Sequence, residues 1–132
     1  MRIKHKRPPN YDEIIKHFPV VARMSGVVFT YGDTLFVPNG NDIPDHLMKH
    51  EETHQVQQAQ LGVETWWKMY FESSHFRLKQ EVEAYRAQYA YIKEYSNRQS
   101  RRQLLQKLAK DLSKAMYGNL VSKEEAKRLI TE

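Results

Sequence analysis

His50-Glu51-Glu52-Thr53-His54 is the stretch on which the reading of this chain turns. Two histidines one helical turn apart lie on the same face, so their imidazoles can converge on a single ion. Glu51 sits about 100° round the helix from His50. It is close enough to act on a water held by that ion without being a ligand. The pattern His-Glu-x-x-His therefore reads as a zinc site with its general base built in.

The flanking residues predict that this stretch is helical. Asp42 can cap the start, with Pro44 and Asp45 in the first turn, and Gly62 is a natural stop after Leu61. After Ile43 and Pro44, the apolar residues of this helix are Leu47, Met48, Val56, Ala59 and Leu61. The face carrying His50 and His54 is polar. A helix in a small core turns such a face inward only if something offsets its desolvation, and a metal would.

Upstream, Ser25–Thr30 and Thr34–Val37 are rich in β-branched and aromatic residues, with Tyr31-Gly32-Asp33 between them. They predict a β-hairpin that ends at Pro38-Asn39-Gly40-Asn41. Tyr11–Phe18 reads as a short helix stopped by Pro19. Downstream, Glu64–Phe76 carries Trp66, Trp67, Tyr70, Phe71 and Phe76, which supply bulk for a core. Leu78–Tyr95 predicts a long helix whose inward stripe is Leu78, Val82, Tyr85, Tyr89 and Ile92. Gln103–Met116 predicts another, and Ser122-Lys123-Glu124-Glu125 is a capping box that starts a last one. No internal repeat or second domain is evident. The expectation is one α+β domain over 1–132, mainly helical, with a basic N-terminal arm at about 1–9.

Composition narrows the chemistry. The 132 residues include no cysteine, so any metal must be held by histidine and carboxylate. The formal charge is +5, with basic residues at positions 2–7 and again from Arg98 to Lys114. A basic nucleic-acid-binding protein is one alternative. A solvated helix face and a loose terminus explain the charge more simply, and no aromatic–basic interleaving resembles a known reader fold. No apolar segment follows the basic start, so no secretory signal is expected, and no apolar run approaches the length of a membrane span. The expected setting is soluble and cytoplasmic.

A catalytic zinc takes three protein ligands and leaves one position open. The candidates for the third are His46, His75, Glu81 and Glu83. His46 and His54 are separated by about 12 Å of helix rise, too far for both to reach one ion. In the longer His-Glu-x-x-His-x-x-Gly-x-x-His pattern, Gln57 and Gln60 occupy the glycine and third-histidine positions, so that class is excluded. Glu81 is the best candidate. It lies about 40° from Tyr85 on the buried side of its helix, whereas Glu83 is about 160° away and should face water. His75 remains a minor option near the start of the same helix.

Together, His50-Glu51-Glu52-Thr53-His54 and Glu81-Val82-Glu83-Ala84-Tyr85 resemble the two motifs of the gluzincins. The likeness is to the minigluzincins and to the soluble catalytic part of the prenyl-protein endopeptidase family. The second motif there is Glu-x-x-Ala-Asp, whose Glu is the third zinc ligand. The resemblance implies that role for Glu81. Its Asp, which supports a zinc-binding histidine, falls here on Tyr85, whose hydroxyl could accept a histidine N–H with weaker charge support. The resemblance also implies that Thr34–Val37 is an edge strand to which an extended peptide substrate adds.

The function expected is therefore a zinc metallopeptidase acting on peptide or protein substrates. Glu51 would be the general base for a zinc-activated water. Tyr85, Tyr89, His75 and Tyr117 are the candidates for a second oxyanion donor. The alternative is a catalytically weak or latent zinc-binding module, suggested by Tyr85 at the Asp position.

Overall fold

A computed structural model describes all 132 residues. The chain order is β1 (Arg2–Lys4), α1 (Tyr11–His17), a 3₁₀ turn (Pro19–Arg23), β2 (Phe29–Tyr31), β3 (Thr34–Phe36), α2 (Asp45–Leu61), α3 (Val63–Glu72), α4 (Ser74–Tyr95), α5 (Arg98–Leu112), a second 3₁₀ turn (Ala115–Tyr117) and α6 (Lys123–Thr131). The mainly helical α+β class expected from the sequence is what is found. None of the helices is long and apolar enough to cross a membrane.

Helix boundaries follow local chemistry. Ser73, Asn97 and Ser122 each accept a backbone N–H three residues on, at 2.8–3.1 Å, and so start α4, α5 and α6. Asn97 starts α5 five residues earlier than the apolar spacing suggests. At Ser122 only half of the capping box forms, because the Glu125 carboxylate turns forward to Arg128. α2 begins at Asp45 with Pro44 at its cap, so Asp42 lies outside the helix. Gly62 ends it with φ of 94°, a backbone conformation that suits glycine, and α3 starts at the next residue.

The hairpin is present but shorter than expected, with β2 starting at Phe29. Gly32, at φ of 65°, makes the tight turn into β3. The N-terminal arm is not loose. Its residues 2–4 form β1, which pairs parallel with β3, placing Ile3 opposite Leu35. The sheet order is β1-β3-β2, so the strand expected at the edge is central and flanked on both sides. A three-residue basic strand has no alternating apolar pattern to announce it. Its pairing comes from contact with residues 32 positions away in sequence.

The hydrophobic core lies beneath this sheet and between the helices. Phe29 and Phe36 share one buried cluster with Ile14 and Phe18 from the N-terminal segment, and Val82, Ile92 and Leu112 from α4 and α5. α2 is different. It packs along α4, yet every residue it buries is polar: His50, Glu51, His54, Gln57 and Gln58. Gln58, fully buried, ties the helix to the hairpin. Its Nε2 donates to the Thr30 carbonyl at 2.9 Å, and its Oε1 accepts the Gly32 N–H at 2.7 Å.

Candidate metal centre

α2 and α4 bring three side chains to one point. The Nε2 atoms of His50 and His54 each lie 3.2 Å from the same oxygen, Oε1 of Glu81. All three residues are buried. Two ligands of a tetrahedral zinc with bonds of about 2.0–2.1 Å stand roughly 3.3 Å apart. The donor set and these separations fit a divalent ion of that kind, so His50, His54 and Glu81 could hold a metal. Without an ion, Oε1 of Glu81 and the two Nε2 atoms face one another.

Protonation is dominated by this pairing. Burial opposes charge on His54, but the Glu81 carboxylate beside it prevails and raises its pKa to about 9. Burial likewise disfavours the Glu81 anion, yet the two histidines hold it well below the usual carboxylate range. The metal-free centre is thus a buried ion pair whose proton an arriving cation would replace.

Each ligand has a partner that orients it. Tyr70 on α3 donates to Oε2 of Glu81 at 2.6 Å, leaving Oε1 for the histidines. Nδ1 of His50 meets Oε1 of Gln88 at 3.0 Å, and Nδ1 of His54 meets Oε1 of Gln57 at 2.8 Å. Glu51 stands beside the three. Its Oε2 is 3.8 Å from His50 Nε2, and its Oε1 accepts the Thr30 hydroxyl at 3.0 Å. Arg77 is a buried strut behind the centre, donating to the carbonyls of Tyr70 (2.6 Å) and Tyr117 (2.7 Å). Gly118 follows with φ of 91°, and a Cβ there would stand 3.1 Å from the Arg77 guanidinium.

Other residues singled out by sequence fall elsewhere. Tyr85 packs edge-on against the His50 ring, with centroids 4.4 Å apart, but its hydroxyl pairs with that of Tyr117 at 2.8 Å. It is Gln88, one turn further along α4, that meets Nδ1 of His50. His75 is exposed at the start of α4 and lines neither cavity at the centre. Glu83 is exposed, as expected, but accepts from Gln57 at 3.0 Å. Tyr89 is half-buried and away from the ligands. His46 reaches Gln88 rather than the ion position. Trp66 and Tyr70, read as bulk packing, instead wall the centre, with Trp66 edge-on to the His54 ring at 5.3 Å. Thr30, Gln57, Tyr70 and Gln88 were the residues missed. For Gln88 a signal existed, since it falls two turns after Glu81 on the same face of α4.

Two cavities meet at the centre. One, of about 70 Å³, lies beside His54 and Glu81 and has mainly apolar walls, including Phe18, Val21, Trp66 and Trp67. The other, about 300 Å³, runs past His46, Leu47, Lys107 and Asp111. His50, Glu51 and Tyr117, with Val27 and Val28 before β2, line both. A ligand lying across the two would pass directly over Glu51. Compared with protein-family models, curated proteins and solved structures, the chain matches none of them.

Proposed function

We propose that this protein is a metal-dependent peptidase of gluzincin type, with His50, His54 and Glu81 as ligands of a zinc ion and Glu51 as general base. The observation that carries the reading is the position of Glu51. Its Oε2 stands 3.8 Å from His50 Nε2 without joining the cluster, and Thr30 holds its other oxygen. A structural carboxylate at a closed metal site has no need of that arrangement.

Zinc, when bound, supplies a Lewis acid that polarises a carbonyl and makes water more acidic. The chain's own residues do the rest. Glu51 takes the proton of the attacking water through Oε2 and delivers it to the leaving amine. The paired hydroxyls of Tyr85 and Tyr117 border the wider cavity, and Tyr117 lines both cavities. Tyr117 is therefore the donor best placed for developing charge on a substrate oxygen. Because β1 covers β3, the backbone available to an extended substrate is that of Val27 and Val28, leading into β2, rather than that of Thr34–Val37.

The test uses Glu51→Gln. Hydrolysis of a mixed peptide library should fall by at least about 10²-fold while zinc content stays at one ion per chain, because only the proton acceptor is lost. Undiminished cleavage by this variant would overturn the role of Glu51. Full zinc occupancy with no cleavage by the unmodified protein would favour a non-catalytic zinc-binding module.

A further inference from the structure

We propose that Gln57 and Gln88 are a matched pair of amide clamps that commit both histidine Nε2 atoms to the metal. This rests on the metal-binding reading of His50, His54 and Glu81, but not on catalysis.

An imidazole can ligate through Nε2 only if that atom carries no proton, so Nδ1 must carry it. A neighbour that can only accept at Nδ1 enforces this state. A glutamine does so only if its amide cannot turn over, because its NH₂ would otherwise face the ring. Gln57 is held against turning by acceptor-only partners, and Gln88 by whichever tautomer His46 adopts. Gln57 Nε2 donates to the Gln80 carbonyl at 3.1 Å and to Oε1 of Glu83 at 3.0 Å. Both of those partners are acceptors only, so Gln57 Oε1 must face His54, as it does at 2.8 Å. Gln88 Nε2 lies 2.8 Å from Nδ1 of His46, and its Oε1 lies 3.0 Å from Nδ1 of His50. With His46 accepting, the Gln88 oxygen is left for His50. The contacts of Gln88 with His50 and of Gln57 with His54 are buried, so water does not compete for them.

The two clamps come from different helices and have different outer anchors, yet impose the same state on both ligands. Neither brings a charge. The arrangement fixes orientation without the electron donation of a carboxylate, and it explains how Tyr85 can stand aside. Gln57 and Gln88 are thus positioning residues, acting on the metal through the histidines.

The experiment measures zinc affinity by chelator competition and the visible absorption of the cobalt-substituted protein, with metal-free folding followed by circular dichroism. Gln57→Leu and Gln88→Leu should each weaken zinc binding by about 10- to 100-fold and alter the cobalt spectrum. Gln88→Glu keeps an acceptor for His50, and His46 can reverse its tautomer to donate, so its affinity should equal or exceed that of the unmodified protein. Gln57→Glu alone sets two carboxylates face to face and should weaken binding. Adding Glu83→Gln replaces one of the two acceptors facing that carboxylate by a donor, the Gln80 carbonyl remaining, and should recover part of the lost affinity. Nitrogen-15 shifts of the zinc-loaded, unmodified protein should show His50 and His54 protonated at Nδ1.

Folded leucine variants with unchanged affinity and cobalt spectrum would overturn the proposal. So would failure of Glu83→Gln to rescue Gln57→Glu, or histidines protonated at Nε2. If the leucine variants do not fold, the paired swap and the nitrogen-15 shifts decide. An unmodified protein that binds no metal would sink the metal reading itself, which separates the two failures.

Discussion

At the scale of single residues, the 2.6 Å hydrogen bond from Tyr70 to Glu81 sets which carboxylate oxygen faces the histidines. Tyr70→Phe leaves a buried acceptor with one partner fewer. Zinc affinity should fall about tenfold, and metal-free stability by about 1–3 kcal/mol. Isothermal titration and thermal melts check both; an unchanged affinity would mean that the metal alone positions Glu81. The cluster of His50, His54 and Glu81 was legible in sequence, because a one-turn histidine pair and an inward-angled glutamate are properties of single helices. Their supports were not. Gln57, Gln88, Tyr70 and Thr30 matter through the contact of two elements, and a sequence gives spacing along each helix but not the rotation of one helix against another. Gln57 was visible only as a residue that breaks a longer zincin pattern; its hydrogen bonds to Glu83 and His54 give it a purpose of its own.

At the scale of elements, caps and stops were readable because they depend on neighbouring residues. Ser122 and Gly62 act where the sequence places them. β1 was not readable, since its stabilising contacts lie in β3. The backbone N–H of Val37 donates to the Lys4 carbonyl at 2.8 Å, and that of Arg2 donates to the Asp33 carbonyl at 2.9 Å. These bonds close one side of β3 against other strands. Deleting residues 1–4 should expose that side while leaving α2 and α4, and hence the three ligands, in place. The shortened protein should still bind zinc but self-associate at concentrations where the full chain does not, as light scattering would report. Loss of zinc binding without aggregation would show instead that β1 helps to position the centre.

At the scale of the whole molecule, the buried ion pair gives stability a pH signature. His54, raised from 6.5 to about 9, contributes fully below its unfolded pKa, and its contribution is lost as pH climbs through about 9. Glu81, depressed below 4.5, contributes above that value and loses its contribution as pH falls. Without metal, the pair therefore stabilises the fold most between 4.5 and 6.5, and melting temperature should decline from about pH 6.5 to about pH 9. Zinc reverses the trend, because it must displace the His54 proton: affinity should rise toward pH 9, with one proton released per ion. Titration calorimetry in buffers of different ionisation enthalpy counts that proton, and a count of zero would contradict the pairing. At free zinc about 100 times its Kd, the fold gains about 2.7 kcal/mol. The helix that carries the two histidines, α2, buries only polar side chains. A chain built this way keeps that helix dependent on something from outside. Proteolytic turnover would thus fall first on copies that fail to acquire an ion, and the amount of protein present would track the supply of metal.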